Sequence, residues 1–270
     1  MSTTTAPTPP AAASRGVPFA ASTTTRVVTF LLLAYTVYAV AQLDFSWNRF
    51  VEGLGHGARL IGKMFPPDLG KWDILVKGMV ESMQIAVLAT VLGISISLPL
   101  GFLGARNLMP GWVTWIARAI VAICRSLHPV IGAILFVKAV GFGALAGILA
   151  LTVASIGFVG KLFAEAIEEI SPKQVEAVRA TGASFMNVIL FGVLPQVMAR
   201  FVGFVTYQLD SNLRNSTMVG IVGAGGIGGA LFSAFQRFDY GFVFTILATI
   251  VCIIVLAEIG TNCVKKAFHV

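Results

Sequence analysis

Charge is what this chain has least of. Of its 270 residues only 11% are charged, while 57% are hydrophobic and the mean hydropathy is +0.87. A soluble domain carries roughly 25% charged residues, so this surface is solvated largely by lipid. Acidic residues are the scarcer sign, 12 against 19 basic, leaving a net charge of +7. The bases stand singly between apolar segments, without the clustered stripe that nucleic acid requires. They fit instead the Lys and Arg excess of inner membrane loops. Cys124, Cys252 and Cys263, like His56, His128 and His269, have no metal-ligand spacing. The cysteines read as small buried hydrophobes, not disulfides. No paired carboxylates or nucleophile–base set point to catalysis, which sets aside a membrane enzyme.

Two nucleotide motifs are present in form only. "GAGGIG" at 223–228 matches a dinucleotide loop, but "DSNLRNSTM" before it has no strand alternation, and Asp239 follows too soon for the ribose role. "GARLIGKM" at 57–64 approximates a phosphate loop, but Met64 lacks the hydroxyl that binds magnesium. It reads as an amphipathic interfacial segment.

What is abundant is apolar sequence. A membrane-crossing helix needs about 20 such residues, and six segments approach this: 27–43, 75–104, 113–140, 143–166, 187–210 and 239–262. Residues 1–25, rich in Thr, Ala, Pro and Ser, read as a disordered tail. "AVA" at 39–41 resembles a signal-cleavage site, but the long leader favours a retained anchor. Residues 44–73 read as a mixed-charge loop, and 211–238 as too polar and glycine-rich to face lipid. With both termini inside, Arg106, Arg118 and Arg125 fall at the first inner turn and Lys161, Lys173 and Arg179 at the second. Residues 266–270 form a short inner tail.

The most informative stretch is "SPKQVEAVRATGASFMNVILFGVLPQV", residues 171–197. Ser171 and Gln174 have capping-box spacing, and Pro172 falls at the first helical position. Gly182 supplies a left-handed stop. The pattern predicts a capped helix of about three turns in an inner loop. Ala177, Ala180 and Gly182 keep its surface low, and Glu176 and Arg179 remain available to a partner.

Glu176–Ala177, Ala180, Gly182, Ala183 and Leu194–Pro195 resemble the "EAA" loop of ABC importer permeases, with Val178 where a second consecutive alanine often stands. The resemblance covers about residues 72–265. "MFPPDLGKWDILVKGMVESMQIAV", "RATGA" and "DSNLRNSTMVGIVGAGGIG" look like phosphonate importer permeases. This implies an all-α integral membrane protein of about six spans with the type I importer permease fold, in a bacterial plasma membrane. Residues 171–184 would be a cytoplasmic coupling helix, followed by a kink at Pro195. The implied partners are a second copy of the chain, two ATPase subunits carrying ATP and magnesium, and an extracytoplasmic phosphonate-binding protein. No cofactor is expected on this chain. Gly223, Gly225, Gly226 and Gly228 would pack near an outer gate, as in methionine-type permeases.

The candidate substrate path holds Arg214 with Asn212 and Ser216, and on other spans Arg125 and Lys138. Arg214 reads either as an anion ligand or as the i,i+4 partner of Asp210. Arg125 also reads as an inner-interface anchor, and Lys138 as snorkelling outward. The rival functions are an importer of methionine or another solute, and a self-sufficient channel or secondary transporter.

Overall fold

The computed structural model describes residues 23–43 and 46–267, and the side chains of these up to Cys263. The tail assigned to 1–25 lies outside the described residues as far as residue 22, and so do residues 268–270, including His269. Among the described residues every regular element is helical. The chain divides into two compact units, 1–59 and 60–270.

In the first unit, α1 (Thr23–Gln42) begins within the expected tail. Thr29 and Thr36 donate to the carbonyls of Thr25 and Leu32, each at 2.8 Å, so neither hydroxyl meets lipid unpaired. The expected loop at 44–73 contains a second helix, α2 (Trp47–Lys63). Phe50, Val51, Leu54 and Ile61 share one apolar stripe there, while charges occupy the other side. Amphipathic periodicity, hidden by the mixed composition, overrides the loop reading.

The second unit is built on α3 (Trp72–Gly104), α6 (Ala144–Glu168) and a long helix made of α8 (Phe185–Asn187), a π-helical turn (Val188–Val193) and α9 (Leu194–Ile221). Small residues let these backbones close together, as membrane packing demands. A Cβ on Gly93 of α3 would stand 2.4 Å from Ser155 Cβ, and one on Gly101 would stand 2.5 Å from the Phe163 ring. Beside them lie α4 (Gly111–Ser126), α5 (Pro129–Val140), α7 (Pro172–Ala180), α10 (Ile227–Gln236) and α11 (Tyr240–Ala267).

Among the described residues five helices are long and apolar enough to cross a membrane: α1, α3, α6, the 185–221 helix and α11. They become six if α4 and α5 count as one broken span. The expected single span at 113–140 is broken, because α4 and α5 meet at 90°. Pro129 starts α5 and drives His128 into an extended conformation (φ −69°, ψ 136°). The expected 187–210 span instead runs on to Ile221, and its polar continuation is tolerated because Asn212, Ser216 and Gly220 are buried. The cysteine reading needs correction too. Cys252 and Cys263 are exposed on α11 and Cys124 is half-buried, because apolar side chains here face lipid as readily as protein.

Candidate functional site

The helix predicted between two spans is α7, nine residues long. Its one buried residue is Val175. Val175 joins Phe163 and Ile167 of α6, Val188 and Val193 of the π turn and Val197 of α9 in a single core. Gly192 admits this contact, since a Cβ there would lie 3.5 Å from Val175 Cα. Glu176, Ala177, Arg179 and Ala180 are all exposed, while Ala183 is half-buried against the same core. A nine-residue helix thus rests on Val175 and the half-buried Val178 where α6 and α9 meet, with its charged face free.

Its ends form differently from the capping-box expectation. Ser171 is the N-cap residue and Pro172 the first helical residue, but the Ser171 side chain makes no capping bond. The Ser171 N–H donates to Gln196 Oε1 of α9 at 3.1 Å, and Gln196 Nε2 donates to the Gly192 carbonyl at 2.6 Å. A glutamine from the neighbouring helix thus takes the acceptor role assigned to Gln174, which stays exposed. At the other end Thr181 is the C-cap, and Gly182 adopts φ +76° as it donates to the Arg179 carbonyl at 3.0 Å. Pro195 lies in the first turn of α9, directly after the π turn. The wider turn absorbs the backbone bond that proline cannot make.

At mid-height α3, α6 and α9 meet through a buried polar cluster. Asn212 Nδ2 donates to Thr90 Oγ1 and to Ser155 Oγ, both at 2.9 Å. Gln208 Nε2 donates to Ser155 Oγ at 2.9 Å and to Asn212 Oδ1 at 3.0 Å. The two hydroxyls donate in turn to the carbonyls of Ala86 and Leu151. Asn212 is therefore a structural crosslink, fully buried, and Ser216 is also buried, donating to the Leu213 carbonyl at 2.7 Å. Sequence reading missed Gln208, Thr90 and Ser155. The signal was there, since polar side chains within apolar spans need partners.

Arg214 is 60% exposed and ion-paired with Asp210 one turn earlier. Lys138 is exposed at the end of α5. Arg125 is exposed in the last turn of α4, where that helix breaks from α5. Its backbone packs at Gly157, near the middle of α6, where a Cβ would lie 2.5 Å from Arg125 N.

The glycine run forms a tight turn between α9 and α10. A Cβ on Gly228 would stand 1.9 Å from the Thr217 carbonyl, and one on Gly226, where φ is +83°, would stand 2.5 Å from Ser82 Oγ. The same Ser82 Oγ accepts from the Ile227 N–H at 2.9 Å and so caps α10. Gly223 and Gly225 lie against Phe142 and Ala144 at the α5–α6 junction. At this end Lys71 bridges Asp68, at 3.2 Å, and Asp239. Thr245 of α11 donates to the Asp68 carbonyl at 2.9 Å. The Asp68 carboxyl is held below its ordinary value by the Gly70 N–H and then by Lys71. Lys71 is raised above its own, chiefly by Asp239.

Apolar crossing helices, a polar crosslink in their midst and a short exposed helix seated at one end describe a helical integral membrane subunit. Residues 97–268 match the family described as "binding-protein-dependent transport system inner membrane component", and the chain belongs to that family. It is 36% identical to the phosphite transport system permease protein PtxC of Stutzerimonas stutzeri, over 89% of this chain and 87% of that one. It is 37% identical to the phosphate-import permease protein PhnE of Mycolicibacterium smegmatis, over 87% of this chain and 43% of that one. Among solved structures it resembles a chain of the MetNI methionine ABC transporter in inward-facing conformations. There the TM-score is 0.65 and the identity 26%, over 74% of this chain and 99% of that one. The chain is a permease subunit of an ABC importer and not an enzyme; such an importer implies separate ATPase and substrate-binding partners.

Proposed function

We propose that this chain carries phosphonate, or a related phosphorus oxyanion such as phosphite, across the bacterial plasma membrane by alternating access. The observation that carries the coupling half of this reading is α7, seated by Val175 and Val178 with Glu176, Ala177, Arg179 and Ala180 exposed. A helix so placed passes a push on its outer face into α6 and α9 together. The relatives named for phosphite and phosphate support the solute class. Two copies of the chain would pair with two ATPase subunits, which bind ATP and magnesium, and with an extracytoplasmic binding protein. Both termini and α7 would face the cytoplasm, where Arg106, Lys173, Arg179 and Arg200 supply the positive charge. Cysteines placed at Ser46 and Ser184 test this topology, since only the first should react with an impermeant reagent in intact cells. Gly223, Gly225, Gly226 and Gly228 would pack the outer gate. Arg214 serves as the Asp210 ion pair rather than as an anion ligand. Reconstituted uptake of methylphosphonate, phosphite and phosphate, with methionine as competitor, tests the solute. Competition by methionine alone would assign the chain to a methionine-type importer.

A further inference from the structure

A cavity of about 430 Å³ opens between α3, α4 and α6, lined by Leu100, Gly104, Arg118, Arg125, Lys161 and Glu165 among others. Its walls are set by close contacts. Gly157 and Gly160 of α6 bring α4 in, and Arg118 lies across Gly104, with Nε donating to that carbonyl at 2.9 Å. Its charges do not balance. Lys161 has Glu165 at 3.4 Å, and Arg118 Nη2 lies 2.8 Å from Glu168 Oε1 without forming an aligned hydrogen bond. Arg125 has no ion-pair or hydrogen-bond partner among the described residues. One cation is left over, in the last turn of α4 with its backbone against Gly157 of α6. Arg125 is exposed, so its charge is open to a ligand, and an unpaired cation lining a cavity between spans marks a functional site. On α4, Arg118, Ala122 and Arg125 share the cavity face, while Ile116, Ile120 and Ile123 are exposed on another, and Trp112 and Trp115 are exposed at the first turn. Tryptophans at a helix end mark headgroup depth.

We infer that this cavity binds a singly charged phosphorus oxyanion, with Arg125 as the bidentate ligand and Lys161 and Arg118 as flanking cations. A planar guanidinium matches two phosphorus–oxygen acceptors, and one surplus cation matches one negative charge. Two sources carry this chemistry: the phosphodiester of an anionic lipid, and a phosphonate monoanion in transit. Only the second rests on the transport reading above.

The test uses the purified full chain and needs no transport. In one arm, native mass spectrometry counts phosphatidylglycerol retained from mixed phosphatidylglycerol–phosphatidylcholine nanodiscs. In the other, methylphosphonate is titrated calorimetrically into the chain in neutral detergent. Arg125→Gln should weaken whichever ligand binds about fivefold, the effect of one cation at a membrane surface. Arg125→Lys should keep most of the affinity as a point charge, and its unchanged circular dichroism shows that the fold survives. Retention of phosphatidylglycerol assigns the site to lipid, and saturable methylphosphonate binding assigns it to the solute. If neither ligand binds wild type better than Arg125→Gln, or if Arg125→Lys fails equally while folded, the inference is overturned.

Discussion

Replacing Asn212 by alanine isolates the crosslink at the centre of the fold. Asn212 makes three side-chain hydrogen bonds, to Thr90, to Ser155 and from Gln208, at 2.9 to 3.0 Å. Bonds of this kind between membrane helices average about 0.6 kcal/mol each, so the three together contribute ~2 kcal/mol. The loss stays moderate because the neighbours keep other partners. Thr90 still donates to Ala86, Ser155 to Leu151, and Gln208 to Ser155. The folded-to-unfolded ratio should fall about 30-fold, since about 1.4 kcal/mol is a tenfold change. Reversible unfolding in mixed micelles measures it. A double-mutant cycle with Thr90→Val should return a coupling of about 0.6 kcal/mol. A change under about 0.5 kcal/mol for Asn212→Ala, the range of an ordinary surface substitution, would refute the reasoning, because it would mean the cluster holds nothing together.

Three further outcomes follow from other parts of the structure. Gln196→Ala should destabilise α7 by about 1 kcal/mol, the usual worth of a helix cap, while Gln174→Ala should have almost no effect; hydrogen exchange of the Ser171–Val175 amides reads both. The Asp68–Lys71 ion pair should be indifferent to pH from about 5 to about 9. Asp68 contributes above its ordinary value of 3.8 and loses its share as pH falls through its depressed value. Lys71 contributes below 10.5 and loses its share as pH rises through its raised value. Thermal unfolding across this range should show no step abolished by Asp68→Asn. Exchanging the charges of Asp210 and Arg214 should restore uptake lost in either single variant if they serve only each other, and an inactive exchange would return Arg214 to the solute path.

The parts of this fold that were legible in the sequence are those written in local chemistry. Long apolar runs marked α3, α6 and α11, and Pro172 and Gly182 bracketed α7 to within a residue or two. What stayed hidden depends on partners distant in sequence. Gln196 stands 25 positions from the Ser171 N–H it accepts, and no spacing rule reaches that far. Asn212 looked like a polar residue beside a path because its partner Thr90 lies 122 positions away on another helix. The break between α4 and α5 was locally written, in Pro129, but uninterrupted hydrophobicity hid it. The amphipathic helix at 47–63 was masked by its charges, which a single-face count would have separated.

The proposed role of α7, carrying force from an ATPase into the spans, is open to one direct comparison. In the reconstituted complex, ATP hydrolysis stimulated by loaded binding protein is measured alongside uptake for wild type, Glu176→Lys and Gly182→Leu. Glu176 is exposed, so reversing its charge disturbs only a docked surface. Gly182 has φ +76° with no atom within 4 Å of a Cβ. Leucine there costs about 1–2 kcal/mol of backbone strain and adds bulk on the free side. Both variants should insert in the membrane and bind the ligand-loaded binding protein, yet lose stimulated hydrolysis and uptake together. Wild-type hydrolysis coupled to wild-type uptake in both variants would contradict the proposed role.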